Sequence, residues 1–128
     1  MIVDSSALVA VVFREPEADA LMSKLSSSDR AGIGTPTLAE TGIVMSARLR
    51  TDPQPLLIRL LDEFSILEVP FGAPHWREAV LAFRRYGRGR HPARLNFGDC
   101  LAYATARLAD EPLLYVGTDF AATDLESA

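Results

Sequence analysis

Short apolar runs alternate along the chain with longer segments in which apolar residues recur at helical spacing. We predict strands at the short runs: Ile2-Val3, residues 30–34, residues 66–70 and Leu113–Val116. Short apolar strands separated by helices are typical of a mostly parallel sheet with helices on both faces. The pattern therefore predicts the α/β class.

Capping residues and prolines predict where the helices begin and end. Helix starts are expected at Ser6, Pro16, Thr35-Pro36, Asp52-Pro53, Pro74 and Asn96. Gly87 is expected to end the helix that Pro74 begins, and residues 88–95 are expected to form a loop. The chain has 128 residues and shows no repeat or linker, so we expect a single domain over residues 1–128.

Four carboxylates stand at equivalent places in this pattern. Asp4 follows the first predicted strand and Asp119 follows the last, whereas Glu40 and Asp99 lie in the first turns of predicted helices. In open α/β sheets, ligands bind beyond the carboxyl ends of the strands, so these positions can converge on one pocket. Clustered carboxylates repel unless protonated or neutralised, and Mg²⁺ prefers oxygen ligands. The pattern predicts metal-assisted hydrolysis of a phosphodiester.

Each of these carboxylates also has a purely structural interpretation. Asp4 could cap the following helix, and Glu40 could interact with a helix dipole. Asn96 and Asp99 have the spacing of a capping box, and Asp119 could be a turn residue after Gly117. The catalytic hypothesis depends on all four sharing one edge of the sheet.

Charge and composition add a basic segment and exclude some classes. The net charge is −4, but five of the thirteen Lys and Arg residues lie close together: Arg84, Arg85, Arg88, Arg90 and Arg94. This density favours phosphate binding over a solvated helix end. The single cysteine forms no internal disulfide, no apolar run is long enough to span a membrane, and the first residues lack a basic signal-peptide region. We therefore expect a cytoplasmic protein without a membrane segment.

Several short motifs occur in a specific order over nearly the whole chain: Ile2–Leu8, Thr37–Glu40, Leu95–Ala104, Val116–Phe120 and Thr123–Leu125. In this order and spacing the sequence resembles the PIN-domain family, and within it the VapC toxins of bacterial toxin–antitoxin pairs. The resemblance implies an α/β/α sandwich with a mostly parallel sheet. It also implies that acidic residues hold Mg²⁺ or Mn²⁺ and that the protein cuts RNA, leaving a 5′-phosphate and a 3′-hydroxyl.

The resemblance assigns roles to individual residues. Asp4, Asp99 and Asp119 correspond to metal-binding acids, with Glu40 close by, and all four are implied to be catalytic. Ser5, Ser6 and Thr118 match polar residues that support these acids, and Asp124 matches a further acid. The basic segment is expected to hold the RNA, and a cognate antitoxin is expected to block the site. Some relatives continue into a last strand, so a fifth strand is an open question here.

The apolar residues between Ser6 and Leu25 are more numerous than one core is expected to bury. Exposed apolar stripes on these helices would favour a homodimer or an antitoxin groove.

Three other interpretations are open to test. A phosphoacceptor receiver domain needs a lysine near its acids after a late strand, whereas the only lysine here is Lys24, in an early helix. A non-catalytic PIN-like binding module would typically have lost acids that this chain keeps. A DNA-directed nuclease of related fold is consistent with the same residues.

Overall fold

The computed structural model describes residues 1–128 and contains one parallel sheet. Its strands are β1 (Ile2–Val3), β2 (Ala31–Gly34), β3 (Ile66–Val69) and β4 (Leu113–Leu114), in the order β3-β2-β1-β4. All three neighbouring pairs are parallel, which confirms the predicted sheet. The run predicted as a strand over Leu113–Val116 forms only two residues of β4.

Six helices connect and cover the strands. They are α1 (Ser5–Val12), α2 (Ala18–Ser27), α3 (Thr35–Leu49), α4 (Gln54–Glu63), α5 (Ala73–Tyr86) and α6 (Phe97–Ala109). A single turn of 3₁₀ helix follows over Asp119–Ala122.

The core is divided between the two faces of the sheet. Ile2 and Leu113 pack into one buried cluster with residues of α5 and α6, and their chain neighbours Val3 and Leu114 pack into a second cluster with residues of α1 and α2. Successive side chains of a strand point to opposite faces, so each short strand contributes to both clusters. This arrangement is the α/β/α sandwich expected from the sequence.

Several predicted helix starts differ from the structure by one or two residues. The second helix begins at Ala18 rather than Pro16, which lies in the preceding turn. Thr35 is already helical, and Gly34 occupies the cap position without a side-chain hydrogen bond. The reason is that β2 passes directly into α3, so no residue is left over for a separate cap. By contrast, Asn96 caps α6 as predicted.

The expectation of exposed apolar stripes on the early helices was wrong. Leu8, Val11, Leu21 and Leu25 are all buried in the second cluster. Exposed large apolar side chains occur instead on other helices: Ile43, Ile58, Trp76, Val80, Leu81, Phe83 and Phe97 among them. The two early helices therefore use their apolar residues to cover the sheet.

The last residues lie beside β4. Leu113 and Ser127 form one parallel bridge, in which the Leu113 N–H donates to Glu126 O and the Ala128 N–H donates to Leu113 O, both at 2.9 Å. A single bridge takes the place of a fifth strand. None of the helices is both long and apolar enough to cross a membrane.

Candidate active site

Asp4 lies where β1 ends and α1 begins. Its Oδ2 accepts hydrogen bonds from the backbone N–H of Ser6 at 3.1 Å and from Ser6 Oγ at 2.6 Å, so the side chain caps α1. Burial raises the pKa of Asp4, the Ser6 bonds lower it, and the charge of Glu40 raises it further. Asp4 is therefore both a helix cap and a buried acid at the carboxyl edge of the sheet.

Ser6 connects this helix cap to the segment that follows β4. Its Oγ accepts a hydrogen bond from the backbone N–H of Val116 at 3.0 Å while it donates to Asp4. Val116 follows β4 and precedes the segment that carries Asp119. One hydroxyl thus holds the ends of β1 and β4 in a fixed relation.

Glu40 reaches the same edge from α3. The hydroxyl of Ser5 donates to its Oε1 at 2.7 Å, which joins α1 to α3. The other carboxylate oxygen, Oε2, lies against Gly98 in the first turn of α6. Glu40 is half-buried, and its two carboxylate oxygens contact two neighbouring helices, α1 through Ser5 and α6 through Gly98.

Asp99 approaches from the N-terminus of α6. Asn96 Oδ1 accepts from the Asp99 N–H and Asp99 Oδ2 accepts from the Asn96 N–H, both at 2.9 Å, which is the predicted capping box. Burial raises the pKa of Asp99 to about 6 against the lowering effect of the Asn96 bond, and the charges of Asp4, Asp119 and Glu40 add to the rise. All four candidate acids are therefore near enough to interact electrostatically.

Asp119 is the exposed member of the group. It begins the 3₁₀ turn that follows Gly117, whose φ of 102° is favourable for glycine alone. Thr118, expected to support the acids, is exposed and makes no capping hydrogen bond with its side chain. The glycine turn brings the Asp119 charge back toward Asp99 after β4.

Asp124 makes different contacts from the four acids. The hydroxyl of Tyr103 donates to its Oδ1 at 2.6 Å, and Arg107 lies 3.9 Å from its Oδ2. The Tyr103 bond and the Arg107 charge hold the pKa of Asp124 below its usual range. These contacts tie the C-terminal segment to α6.

The four acids offer the kind of ligand atom that a hard divalent cation prefers. All four acids offer carboxylate oxygens, and Asp4, Asp99 and Glu40 each use one oxygen in an internal hydrogen bond and keep the other free of one. No three His, Cys, Asp or Glu side chains come close enough together to form a ready-made metal site.

The basic segment covers the exposed C-terminal end of α5 and the loop that follows it. Arg84 and Arg85 lie in the last turn of α5, and the other three arginines follow in the loop up to Leu95. All five side chains are exposed, and none forms a salt bridge with a carboxylate. Their charges are free to meet an anionic ligand.

Sequence reasoning missed one feature of the site, the closeness of Gly98 to Glu40. A signal was present, because a glycine in the first turn of a well-capped helix is unfavourable for the helix itself. The side chain that occupies the space comes from a distant helix, so only the structure identified it.

Comparison with known proteins gives the family. The PIN domain family matches residues 1–126. Ribonuclease VapC36 of Mycobacterium tuberculosis is 46% identical over 127 residues, which cover 98% of this chain and 91% of that protein. Ribonuclease VapC42 of the same organism is 43% identical, with 100% and 98% covered.

Solved structures show the same fold. The chain matches Mycobacterium tuberculosis VapC20, described as a sarcin-ricin loop cleaving toxin, with a TM-score of 0.79 at 14% identity over 99% of this chain and 97% of that one. It also matches a chain of a toxin–antitoxin complex from Klebsiella pneumoniae with a TM-score of 0.71 at 18% identity, covering 96% and 92%. By its sequence over nearly the full length, the chain belongs to the PIN-domain family and, within it, to the VapC ribonucleases.

Proposed function

We propose that this chain is a Mg²⁺- or Mn²⁺-dependent endoribonuclease that acts as the toxin of a toxin–antitoxin pair. The observation that carries the proposal is the convergence of four carboxylates at the carboxyl edge of the sheet, where burial raises the pKa of Asp99 to about 6 and the charges of Asp4, Asp119 and Glu40 add to the rise. Membership in a family of ribonucleases supports the RNA substrate.

In this proposal Asp4, Asp99 and Asp119 hold the cation, and Glu40 lies beside it. When bound, the cation supplies Lewis acidity toward the phosphate and lowers the pKa of water. The chain's own residues do the positioning. Ser6 fixes the Asp4 carboxylate, the capping box fixes Asp99, and Ser5 holds Glu40.

The RNA backbone would bind along the basic segment. Its five arginines are exposed and unpaired with carboxylates, so phosphates can replace solvent around them. In this proposal the acids act on the phosphate that is cleaved, and the arginines bind neighbouring phosphates of the same RNA.

The partners follow from the same family. A matched structure is a toxin–antitoxin complex, which supports an antitoxin partner. In this proposal the antitoxin covers the acids of this chain. A homodimer is supported by an exposed apolar face between α5 and α6 that Trp76, Val80, Phe83 and Phe97 line. Sedimentation of the purified chain with and without an antitoxin measures both associations.

The direct test is an assay of purified protein on matched RNA and DNA oligonucleotides, with Mg²⁺, with Mn²⁺ and with EDTA. We expect cleavage of RNA only when a cation is present, with a 5′-phosphate on the product. Cleavage of DNA alone would favour the DNA-directed nuclease. Absence of cleavage of either substrate, combined with tight RNA binding, would favour the non-catalytic PIN-like module.

A further inference from the structure

Gly98 occupies a place where the helix itself gains nothing from glycine. It is the second residue of α6, and its φ is not positive, so the backbone conformation does not require glycine. Glycine is a less favourable helix residue than alanine. The presence of glycine needs an explanation outside the backbone.

The space that a side chain would need is filled by Glu40. A Cβ atom on residue 98 would lie 3.0 Å from Glu40 Cδ and 3.2 Å from Oε1, and it would overlap Oε2. Ser5 meanwhile holds Oε1 from the other side at 2.7 Å. The carboxylate is therefore confined between the Ser5 hydroxyl and the backbone of Gly98.

We propose that Gly98 is a positioning residue, whose missing side chain leaves the space in which the Glu40 carboxylate stands beside Asp4 and Asp99. The proposal rests on the proposed function, in which Glu40 contributes to catalysis. The position also places a carboxylate at the N-terminus of a 13-residue helix, where the helix dipole favours negative charge.

A side chain at residue 98 would move the carboxylate rather than the helices. The overlapping atom is the end of a flexible side chain, so Glu40 can rotate away while α3 and α6 keep their places. A displacement of about 1 Å in a catalytic group can cost about 100-fold in rate. The displaced carboxylate also loses its hydrogen bond from Ser5, which offsets the better helix propensity of alanine, so activity is expected to fall far more than stability changes.

The matched test compares Gly98→Ala with Gly42→Ala. Both glycines lie in helices, but a Cβ at residue 42 would meet only Leu57 Cδ1, at an ordinary contact distance of 3.4 Å. Urea unfolding should show both variants folded, with stabilities close to that of the wild type. Cleavage of an RNA oligonucleotide in Mn²⁺ should fall about 100-fold in kcat for Gly98→Ala, with KM little changed, and stay near wild type for Gly42→Ala.

A double-mutant cycle with Glu40→Gln separates positioning from a merely structural role. If Gly98 acts through Glu40, then Gly98→Ala costs little further activity once Glu40→Gln is present. A structural defect would instead multiply the two losses. Full activity of Gly98→Ala, or multiplicative losses in the cycle, overturns the proposal.

A second readout needs no RNA. The rise in melting temperature that Mn²⁺ produces should be smaller in Gly98→Ala than in Gly42→Ala, because the displaced carboxylate no longer stands beside the cation. If the wild type gains stability from Mn²⁺ but cleaves no RNA, the proposed function fails, and this comparison still decides the role of Gly98. An equal rise in both variants contradicts the positioning role, and a wild type with neither property overturns both proposals.

Discussion

At the scale of single residues, the hydroxyl of Ser6 joins three parts of the molecule. It donates to the Asp4 carboxylate and accepts from the Val116 N–H, while its own backbone N–H also donates to Asp4. These bonds lower the pKa of Asp4, which burial raises. A residue outside the four acids thus fixes the position of Asp4 and favours its ionised state.

We predict that Ser6→Ala destabilises the fold and reduces cleavage together. The change leaves the Val116 N–H without its partner and removes one bond to Asp4, and an unsatisfied group of this kind costs about 1–3 kcal/mol. Urea denaturation and RNA cleavage measure the two effects. The control is Ser23→Ala, an exposed position on α2, which should leave both unchanged. A Ser6→Ala protein as stable as the wild type would show that these bonds contribute little.

We predict that Asp99→Asn abolishes toxicity without unfolding the protein. Asparagine can still accept from the Asn96 N–H through its side-chain oxygen, so the capping box is kept while the charge is removed. Expression of the wild type without an antitoxin should arrest growth, and expression of the variant should not. Asp4→Asn should behave alike, since asparagine is as good a helix cap as aspartate, and Glu40→Gln should also be severe. Arrest by a folded Asp99→Asn protein would remove this residue from the mechanism.

At the scale of elements, the basic end of α5 provides an independent test. We predict that replacing Arg88 and Arg90 by alanine weakens RNA binding more than it slows hydrolysis of bound RNA. The plot of log affinity against log salt should become shallower by about 0.7 for each phosphate of single-stranded RNA that the variant no longer binds.

The matched control for this prediction is Arg59→Ala, an exposed arginine on α4 outside the basic segment. Its salt dependence should equal that of the wild type. A slope that is identical in all three proteins would show that the segment does not follow the RNA backbone.

The elements that the sequence predicted well are those whose signals are local. The strand Ile2-Val3 and the cap at Asn96 depend on adjacent residues, and the structure has both. The site acids could also be selected from the sequence, because each follows a predicted strand or begins a predicted helix.

The features that the sequence did not predict depend on contacts between distant segments. The burial of Leu8 and Leu21 depends on how α1 and α2 pack over the sheet. The sequence does not show this packing, so these helices seemed to carry more apolar residues than one core could bury. The hydrogen bond from Tyr103 to Asp124 and the contact of Gly98 with Glu40 join segments that are far apart in the chain. Periodicity and capping rules carry no information on such pairs.

At the scale of the whole molecule, concentrating acids at one edge of the sheet has a cost for folding. The unfolded chain separates Asp4, Glu40, Asp99 and Asp119 in water, whereas in the folded chain burial raises the pKa of Asp99 and the charges of the other three acids raise it further. We therefore expect the protein without metal to be less stable than the same fold with one of these charges removed.

This cost predicts how stability depends on pH when no metal is bound. The pKa of Asp99 rises from its ordinary 3.8 to about 6 in the folded state, so between these values the folded protein binds more protons than the unfolded one. The stabilisation that protonation provides is present below about pH 4 and is lost as the pH rises through 6. In EDTA, Asp99→Asn should therefore be more stable than the wild type at pH 7, and the difference should shrink toward pH 4, where both side chains are neutral.

Urea unfolding of both proteins from pH 4 to pH 8, in EDTA and in Mn²⁺, measures this difference. The variant isolates Asp99 from Asp124 and Glu111, whose lowered pKa values act in the opposite direction and at lower pH. Mn²⁺ should stabilise the wild type by about 2.7 kcal/mol at a hundred times the dissociation constant, and it should stabilise the variant much less, because one carboxylate is missing. If Asp99 were only a helix cap, Asp99→Asn would be less stable than the wild type in EDTA, and Mn²⁺ would stabilise neither protein. The acidic site proposed here would be contradicted if, at pH 7, Asp99→Asn unfolds at a lower urea concentration than the wild type and neither protein is stabilised by Mn²⁺.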